Sequence, residues 1–217
     1  MPARALAFLE GGAAGLQEET VKPDDPRLAR SAYQVTGTNR TALAAAREKA
    51  GELGFPAGIA PSALEGEARE AGRSLAGEAL RVQEGIRPWE RRCLLSGGET
   101  TVTVKGSGRG GRNQELALAF ALEIAGCGGI ELLSAGSDGM DGTTDVAGAI
   151  VDGTTVTKAA ALGLDAEAYL NNNDSYSFFS DLDRRSNGSS HLKTGPTGTN
   201  VMDLQVVLLA RLPSSGT

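Results

Sequence analysis

The densest chemistry in this sequence lies in Ser96-Gly-Gly-Glu-Thr-Thr101 and, just after it, Gly106-Ser-Gly-Arg-Gly-Gly-Arg-Asn-Gln-Glu115. Four glycines in the six positions Gly106 to Gly111 let a backbone take positive φ and approach a ligand closely. The loop runs straight into an apolar helical stretch, so it ends where unpaired N–H groups and the helix dipole favour an anion. Arg109 and Arg112 add charge and bidentate donors suited to phosphate or carboxylate. The candidate binding residues here are Gly97, Gly98, Glu99 and Thr100 on the first segment and Gly108, Arg109, Gly110, Gly111, Asn113 and Gln114 on the second. A tight solvated turn with two surface arginines is the plainer alternative. The coincidence of strand, helix start and paired arginines favours an anion site.

Which anion is left open by these residues. Gly106-x-Gly108-x-x-Gly111 fits the dinucleotide fingerprint, and Glu131 stands about 20 residues further on, where a ribose-binding acid is sought. Lys105, Arg109 and Arg112, however, crowd the loop with more positive charge than a pyrophosphate cradle needs. Arg112-Asn113 also stands where a Walker A loop carries Lys-Ser/Thr.

A second cluster, Ser134-Ala-Gly-Ser-Asp-Gly-Met-Asp-Gly142, follows a buried strand, at the edge where α/β folds place ligands. Asp138 and Asp141 are the candidate Mg²⁺ ligands, with turn-building as the alternative reading of the same Asp and Gly residues. An EF-hand is excluded, because Met140 occupies the third loop position. A third cluster, Lys193-Thr-Gly-Pro-Thr-Gly-Thr-Asn-Val201, offers Thr197, Thr199 and Asn200 to hydroxyls or phosphates, or else forms an elaborate turn. Asn171-Asn-Asn-Asp-Ser175 reads as a polar knot that caps a helix through Asp174, while Glu65 and Glu67 favour the dipole of theirs. His191 reads as a surface or packing residue rather than a base, and Trp89 as a packing residue.

These motifs need elements to hold them. Ala32–Gly37, Cys93–Ser96, Thr100–Val104, Ile130–Ala135, Ala147–Val151 and Leu204–Leu209 read as strands, with a weaker one near Gly58. Thr38 or Asn39 caps a helix running to about Leu53. Glu65–Glu84 carries an apolar helical stripe, and Arg112–Ala125 is so apolar that it must be mostly buried. Thr155–Leu162, Asp165–Asn171 and Asp174–Leu182 are expected as short helices, and Asp183–Ser190 as a loop. Strands alternating with helices predict an α/β layered fold, a mixed sheet with flanking helices. The organisation expected is a poorly organised lead-in over 1–31, an α/β segment over 32–92, an α/β domain over 93–212 and a tail over 213–217. A boundary near Pro88 is plausible, with one continuous sheet as the alternative.

Composition narrows the function classes. The 217 residues carry a formal charge of -6, from 21 Lys and Arg against 27 Asp and Glu, so no global basic field attracts nucleic acid or anionic lipid. No run approaches the ~20 apolar residues that a membrane span requires, and no secretory leader is apparent. Two cysteines and one histidine make neither a disulfide framework nor a histidine metal cluster. A cytoplasmic, thiol-reducing setting is expected.

Taken together, Ser96-Gly-Gly-Glu-Thr-Thr-Val-Thr-Val104, Gly106-x-Gly-x-Gly-Gly-Arg-Asn-Gln-Glu115, Ser134-Ala-Gly-x-Asp-Gly-x-Asp-Gly142, Asn173-Asp-Ser175 and Thr194-Gly-Pro-Thr-Gly-Thr-Asn-Val201 resemble the C-terminal, MOFRL region of type II glycerate kinases. The likeness runs in order from about Cys93 to Leu209, and Gly37-Thr-Asn-Arg40 and Glu65-Gly-Glu67 resemble the segment before it. The resemblance implies ATP- and Mg²⁺-dependent phosphorylation of D-glycerate to 2-phosphoglycerate in a cleft between two domains. It makes Arg112, which matches the arginine facing that cleft, the catalytic residue of this portion. The family's Rossmann-like N-terminal domain, with its lysine, is the implied partner, and the chain alone is expected to be inactive or weak. An uncovered apolar face would favour a homo-oligomer. The alternatives are an NAD(P)H-dependent hydroxypyruvate reductase and a non-catalytic ligand-binding module.

Overall fold

Strands β2 (Arg91–Gly98) and β6 (Asp203–Ala210) pair antiparallel along their full length, Arg91 opposite Ala210 and Gly98 opposite Asp203. Their β-branched and leucine-rich sequences suit the centre of a sheet covered on both faces. In the computed structural model, which describes residues 1–211, they belong to a six-stranded sheet in the order β1-β2-β6-β3-β4-β5. Strand β1 (Ala57–Ile59) runs parallel to β2, and helix α3 (Ala68–Gly85) lies between them in sequence. Strands β3 (Ile130–Gly136), β4 (Gly148–Asp152) and β5 (His191–Leu192) continue the other side antiparallel. The α/β expectation is met.

Alternation along β6 assigns the layers, since successive side chains point to opposite faces. Val207 and Leu209 join the main core with α3 and α4 (Arg112–Glu123), whereas Leu204, Val206 and Leu208 pack with Leu43 of α2 (Asn39–Glu52). Thr38 is the cap of α2: its hydroxyl accepts the Thr41 N–H at 3.1 Å. Helix α4 is buried from Asn113 to Ala121, as its uniformly apolar middle predicts. Helices α5 (Thr155–Ala161), α6 (Ala166–Asn171) and α7 (Ser175–Ser186) close the same core with Leu170, Phe178 and Phe179. Each fully buried phenylalanine contributes roughly 1.5–3 kcal/mol.

The chain divides into a unit spanning Met1–Thr36 and a larger one from Gly37 onward. The first holds helix α1 (Ala3–Ala13), none of whose residues is buried, and a 3₁₀ turn at Pro26–Leu28 capped by Asp25. In the second, β1 before Pro88 and β2 after it lie in the same sheet. The expected tail over 213–217 lies outside the described residues.

Several expectations are corrected. Ala32–Gly37 is no strand; it is exposed, irregular chain. Thr100–Val104 does not join the sheet either, despite its β-branched residues. The chain leaves the sheet at Gly98 (φ +147°), where an added β-carbon would come within 2.3 Å of the Leu64 carbonyl oxygen. It then crosses the start of α3, where Thr101 forms one isolated bridge with Glu67. Helix α3 begins at Ala68, so Glu65 precedes it, and the Glu67 carboxylate accepts the Thr103 N–H at 3.1 Å instead of capping the helix. Helix α7 runs on to Ser186 through part of the expected loop. Trp89 is 73% exposed rather than packed.

Candidate functional site

Arg112 is the first residue of α4 and points across the ends of β2 and β6. Its Nε donates to Asp203 Oδ2 at 2.6 Å and its Nη2 to Asp203 Oδ1 at 2.9 Å. The remaining amine, Nη1, lies 3.1 Å from Glu99 Oε1. Hydrogen bonding to Asp203 raises the Arg112 pKa against the opposing effect of its partial burial, so the guanidinium stays charged. Arg112 also lines a cavity of about 660 Å³, with Glu99, Thr100, Gly108, Arg109, Gly110 and Gly111 among the other walls. Sequence reasoning thus brings seven of its candidates to one concavity. Val102 and Val104 add an apolar wall to it.

The glycine-rich loop works differently from its sequence reading. None of its four glycines takes a positive φ, and five consecutive N–H groups face the Asn172-Asn173-Asp174 knot rather than a ligand. Lys105 and Gly106 donate to Asn173 Oδ1 at 2.8 and 3.0 Å, and Ser107 to Asn172 Oδ1 at 3.1 Å. Gly108 donates to the Asn172 carbonyl at 3.0 Å and Arg109 to Asp174 Oδ1 at 2.8 Å. Close approach explains the glycines: a β-carbon on Gly106 would lie 2.2 Å from the Asn172 carbonyl oxygen. Asp174 stands at the N-cap position of α7, yet its carboxylate serves the Arg109 amide and the Ser177 hydroxyl rather than a helix amide. The dinucleotide reading loses its support with this loop, since β2 ends at Gly98 and does not run directly into Gly106. Glu131 sits at the opposite end of β3 from Gly136, which pairs with Asp203.

The helix start does hold an anion, but an internal one. Gly111 is the N-cap of α4 and has no side chain to offer, so the cap comes from Asp141. Asp141 Oδ1 accepts the Asn113 N–H at 3.0 Å, and Oδ2 accepts the Gln114 N–H and its Nε2, each at 2.9 Å. A fourth, longer bond comes from Asn113 Nδ2 at 3.4 Å. Burial pushes the Asp141 pKa above the ordinary carboxylate value, against the pull of these bonds. With both oxygens committed and 1% exposure, Asp141 does not fit a Mg²⁺ ligand. Asp138 accepts the Met140 N–H at 3.0 Å, the turn-building role that its residue type also allows. Among the described residues, no group of three His, Cys, Asp or Glu could hold a metal ion. Asn113 and Gln114 are buried behind this cap rather than open to a ligand, and Gly97 abuts Asn39.

The loop over residues 193–201 is built on the Ser137-Asp138 turn. Thr197 Oγ1 donates to the Ser137 carbonyl at 2.6 Å, and Asn200 Nδ2 to Asp138 Oδ2 at 3.4 Å. Thr199 is exposed beside them, with its N–H turned to Thr197 Oγ1. Two of the three expected binding side chains are therefore used to lock one loop onto another.

Arg109 forms the rim of the cavity. Its guanidinium lies 4.2 Å over the Tyr176 ring, a cation–π contact, and the Tyr176 hydroxyl donates to Asp145 Oδ1 at 2.7 Å. His191 stacks on the Tyr176 ring with centroids 4.8 Å apart, and burial lowers its pKa, as suits a packing residue. The Tyr176 and Lys193 hydrogen bonds lower the Asp145 pKa from 3.8 to about 2. Because the folded value is the lower one, this contact stabilises the fold above the ordinary value, and its contribution is lost as pH falls towards about 2. A carboxyl NMR titration should find Asp145 half-protonated near pH 2; a midpoint at 3.8 would mean that the pair does not form in solution.

Sequence reasoning missed Asp203, which holds Arg112, and Glu115, which itself lines the cavity. Asp203 reads in sequence only as the residue before an apolar strand. Glu115, 3% exposed at its side chain, pairs with Arg69 at 2.9 Å and accepts the Asn173 Nδ2 at 2.9 Å. The available signal was a charged residue inside an otherwise apolar helix, which requires a partner.

The family model described as the MOFRL family matches residues 92–203. The D-glycerate 2-kinase of Thermotoga maritima is 48% identical over 165 residues, covering 76% of this chain and 38% of that protein. The glycerate 2-kinase of Pyrococcus horikoshii is 37% identical over 211 residues, covering 96% of this chain and 46% of that protein. The chain therefore spans less than half the length of either relative. Among solved structures, a glycerate kinase from Thermotoga maritima superposes with a TM-score of 0.77 at 40% identity, over 94% of this chain and 50% of that one.

Proposed function

Because the chain belongs to the MOFRL family, we propose that it is the C-terminal portion of a glycerate kinase and acts in the ATP-dependent phosphorylation of D-glycerate at its 2-hydroxyl. The observation that carries the proposal is a single one: Arg112, held by Asp203 through Nε and Nη2, lines the 660 Å³ cavity with its Nη1 3.1 Å from Glu99 on the same wall. Phosphoryl transfer asks a protein mainly for positioning and for charge opposite the transferring oxygens. A rigid guanidinium at the mouth of a helix meets that demand. Arg109 supplies a second positive group on the same wall. Support for the acceptor and its position comes from the relatives' names, D-glycerate 2-kinase and glycerate 2-kinase. The nucleotide and glycerate would lie between this cavity and the remaining portion of the kinase. Mg²⁺ enters as the companion ion of ATP; buried Asp141, with both oxygens committed, does not fit it, and Asp138 is engaged in its turn. A cytoplasmic setting is part of the proposal, supported by the two free thiols, Cys93 and Cys127.

The test mixes this chain with the portion of the Thermotoga maritima kinase that it does not span. Formation of 2-phosphoglycerate from ATP and D-glycerate should appear in the mixture and be weak or absent with either part alone. A mixture that forms a complex yet turns over nothing, with no ATP or D-glycerate binding by calorimetry, would overturn the proposal.

A further inference from the structure

The two carboxylates on Arg112 are unlike each other. Asp203 is buried, with a side chain 2% exposed, and holds two guanidinium nitrogens in the planar fork that carboxylates match best. Glu99 is 55% exposed and meets only Nη1. A buried, bidentate pair resists solvent and salt, whereas an exposed single contact is worth little and exchanges readily. One carboxylate belongs to the frame. The other is replaceable.

Both members of the inner pair are pinned from behind. Asp203 opens β6 between Gly98 of β2 and Gly136 of β3, so neither strand neighbour in register carries a side chain beside it. Asn39 of α2 donates to the Asp203 carbonyl and to the Val201 carbonyl, each at 2.9 Å, which fixes the strand's first residue. On the other side, the Asp141 cap holds the amides of Asn113 and Gln114, the residues that directly follow Arg112. Neither backbone can move without breaking one of these hydrogen bonds.

We propose that Asp203 is the positioning residue for Arg112, aiming its Nη1 edge at an anionic oxygen of the ligand, and that Glu99 holds this edge until the ligand displaces it. The inference rests on the reading of Arg112 as the phosphate-side arginine. It adds two testable parts: a fixed counter-charge, Asp203, and an exchangeable one, Glu99. The ligand class is a phosphate-bearing anion, since it must outcompete a carboxylate for one guanidinium edge.

The test uses the full chain, with ATP as the probe in calorimetry and the Arg112 Nε–H proton as the NMR signature. In the unliganded chain this proton should be shifted downfield and protected from exchange. Asp203→Asn should move it upfield, expose it to exchange and weaken ATP binding about tenfold, the scale of one charge-assisted hydrogen bond. Glu99→Gln should leave the proton in place and tighten ATP binding, because the competing charge is gone. Should Asp203→Asn fail to fold, Arg112→Lys keeps the charge without the fork and should show the same loss of affinity. A folded Asp203→Asn with unchanged ATP affinity would make Asp203 merely structural and overturn the inference, as would an Nε–H proton that exchanges freely in the native chain. Glu99→Gln weakening ATP binding would overturn the placeholder role. If ATP binds neither to the native chain nor to its mixture with the complementary kinase portion, the kinase reading fails, while the Nε–H proton still decides whether Asp203 fixes Arg112.

Discussion

Arg112→Ala should lower kcat for D-glycerate phosphorylation by about 10²–10³ in the chain assembled with its complementary kinase portion, the usual cost of removing one group that stabilises transition-state charge. KM should change less, because the contact strengthens only as charge builds on the transferring group. The variant also leaves Asp203 buried without its counter-charge, so its folding must be checked by thermal unfolding before the rate is read. Arg112→Lys supplies the control: it returns a positive charge to Asp203 without the planar fork, and should recover stability while regaining only part of the rate. A folded variant of either kind with native kcat would remove Arg112 from the chemistry.

Arg69→Ala should cost roughly 3–5 kcal/mol of folding stability, the range for breaking a buried ion pair from one side. The Arg69 Nε lies 2.9 Å from Glu115 Oε1, and Nη2 reaches the Leu170 carbonyl at 3.0 Å, so one side chain ties α3 to both α4 and α6. Without it, Glu115 keeps only the Asn173 amide as a strong donor in a nearly dry environment. The double variant Arg69→Met with Glu115→Gln removes both charges and keeps a partner for Asn173, so it should recover most of the loss. Urea unfolding of the two variants decides the matter. A loss below about 1 kcal/mol for Arg69→Ala would place this pair with ordinary surface contacts.

What could be read without coordinates depended on the range of the forces involved. Thr38 capping α2, the buried run of α4 and the strands around Leu132 and Val207 follow from local pattern, because capping and burial periodicity act over a few residues. Thr100–Val104 shows where that reasoning stops: its β-branched residues suit a strand, but Gly98 turns the chain out of the sheet before it can pair. The cavity's position and its arginines were legible from Gly106 to Arg112. The use of the loop was not. Glycines look the same in sequence whether the approaching atoms belong to a ligand or to Asn172, 66 residues later than Gly106. Asp141 likewise reads as a metal ligand or a turn residue until the start of α4 is seen resting on it. Asp203 had no local signature, since its partner lies 91 residues away.

The pairing of β1 with β2 bears on how this protein can be divided for experiments. The stretch that matches the family model starts at residue 92, yet Ala71, Leu75 and Ala79 of α3 share one core with Leu116 and Phe120 of α4. A fragment cloned from residue 92 would bare that helix surface to water, strip β2 of its parallel neighbour and come out of expression as insoluble material. Gly37, where the larger compact unit begins, is the latest sensible start for such a fragment.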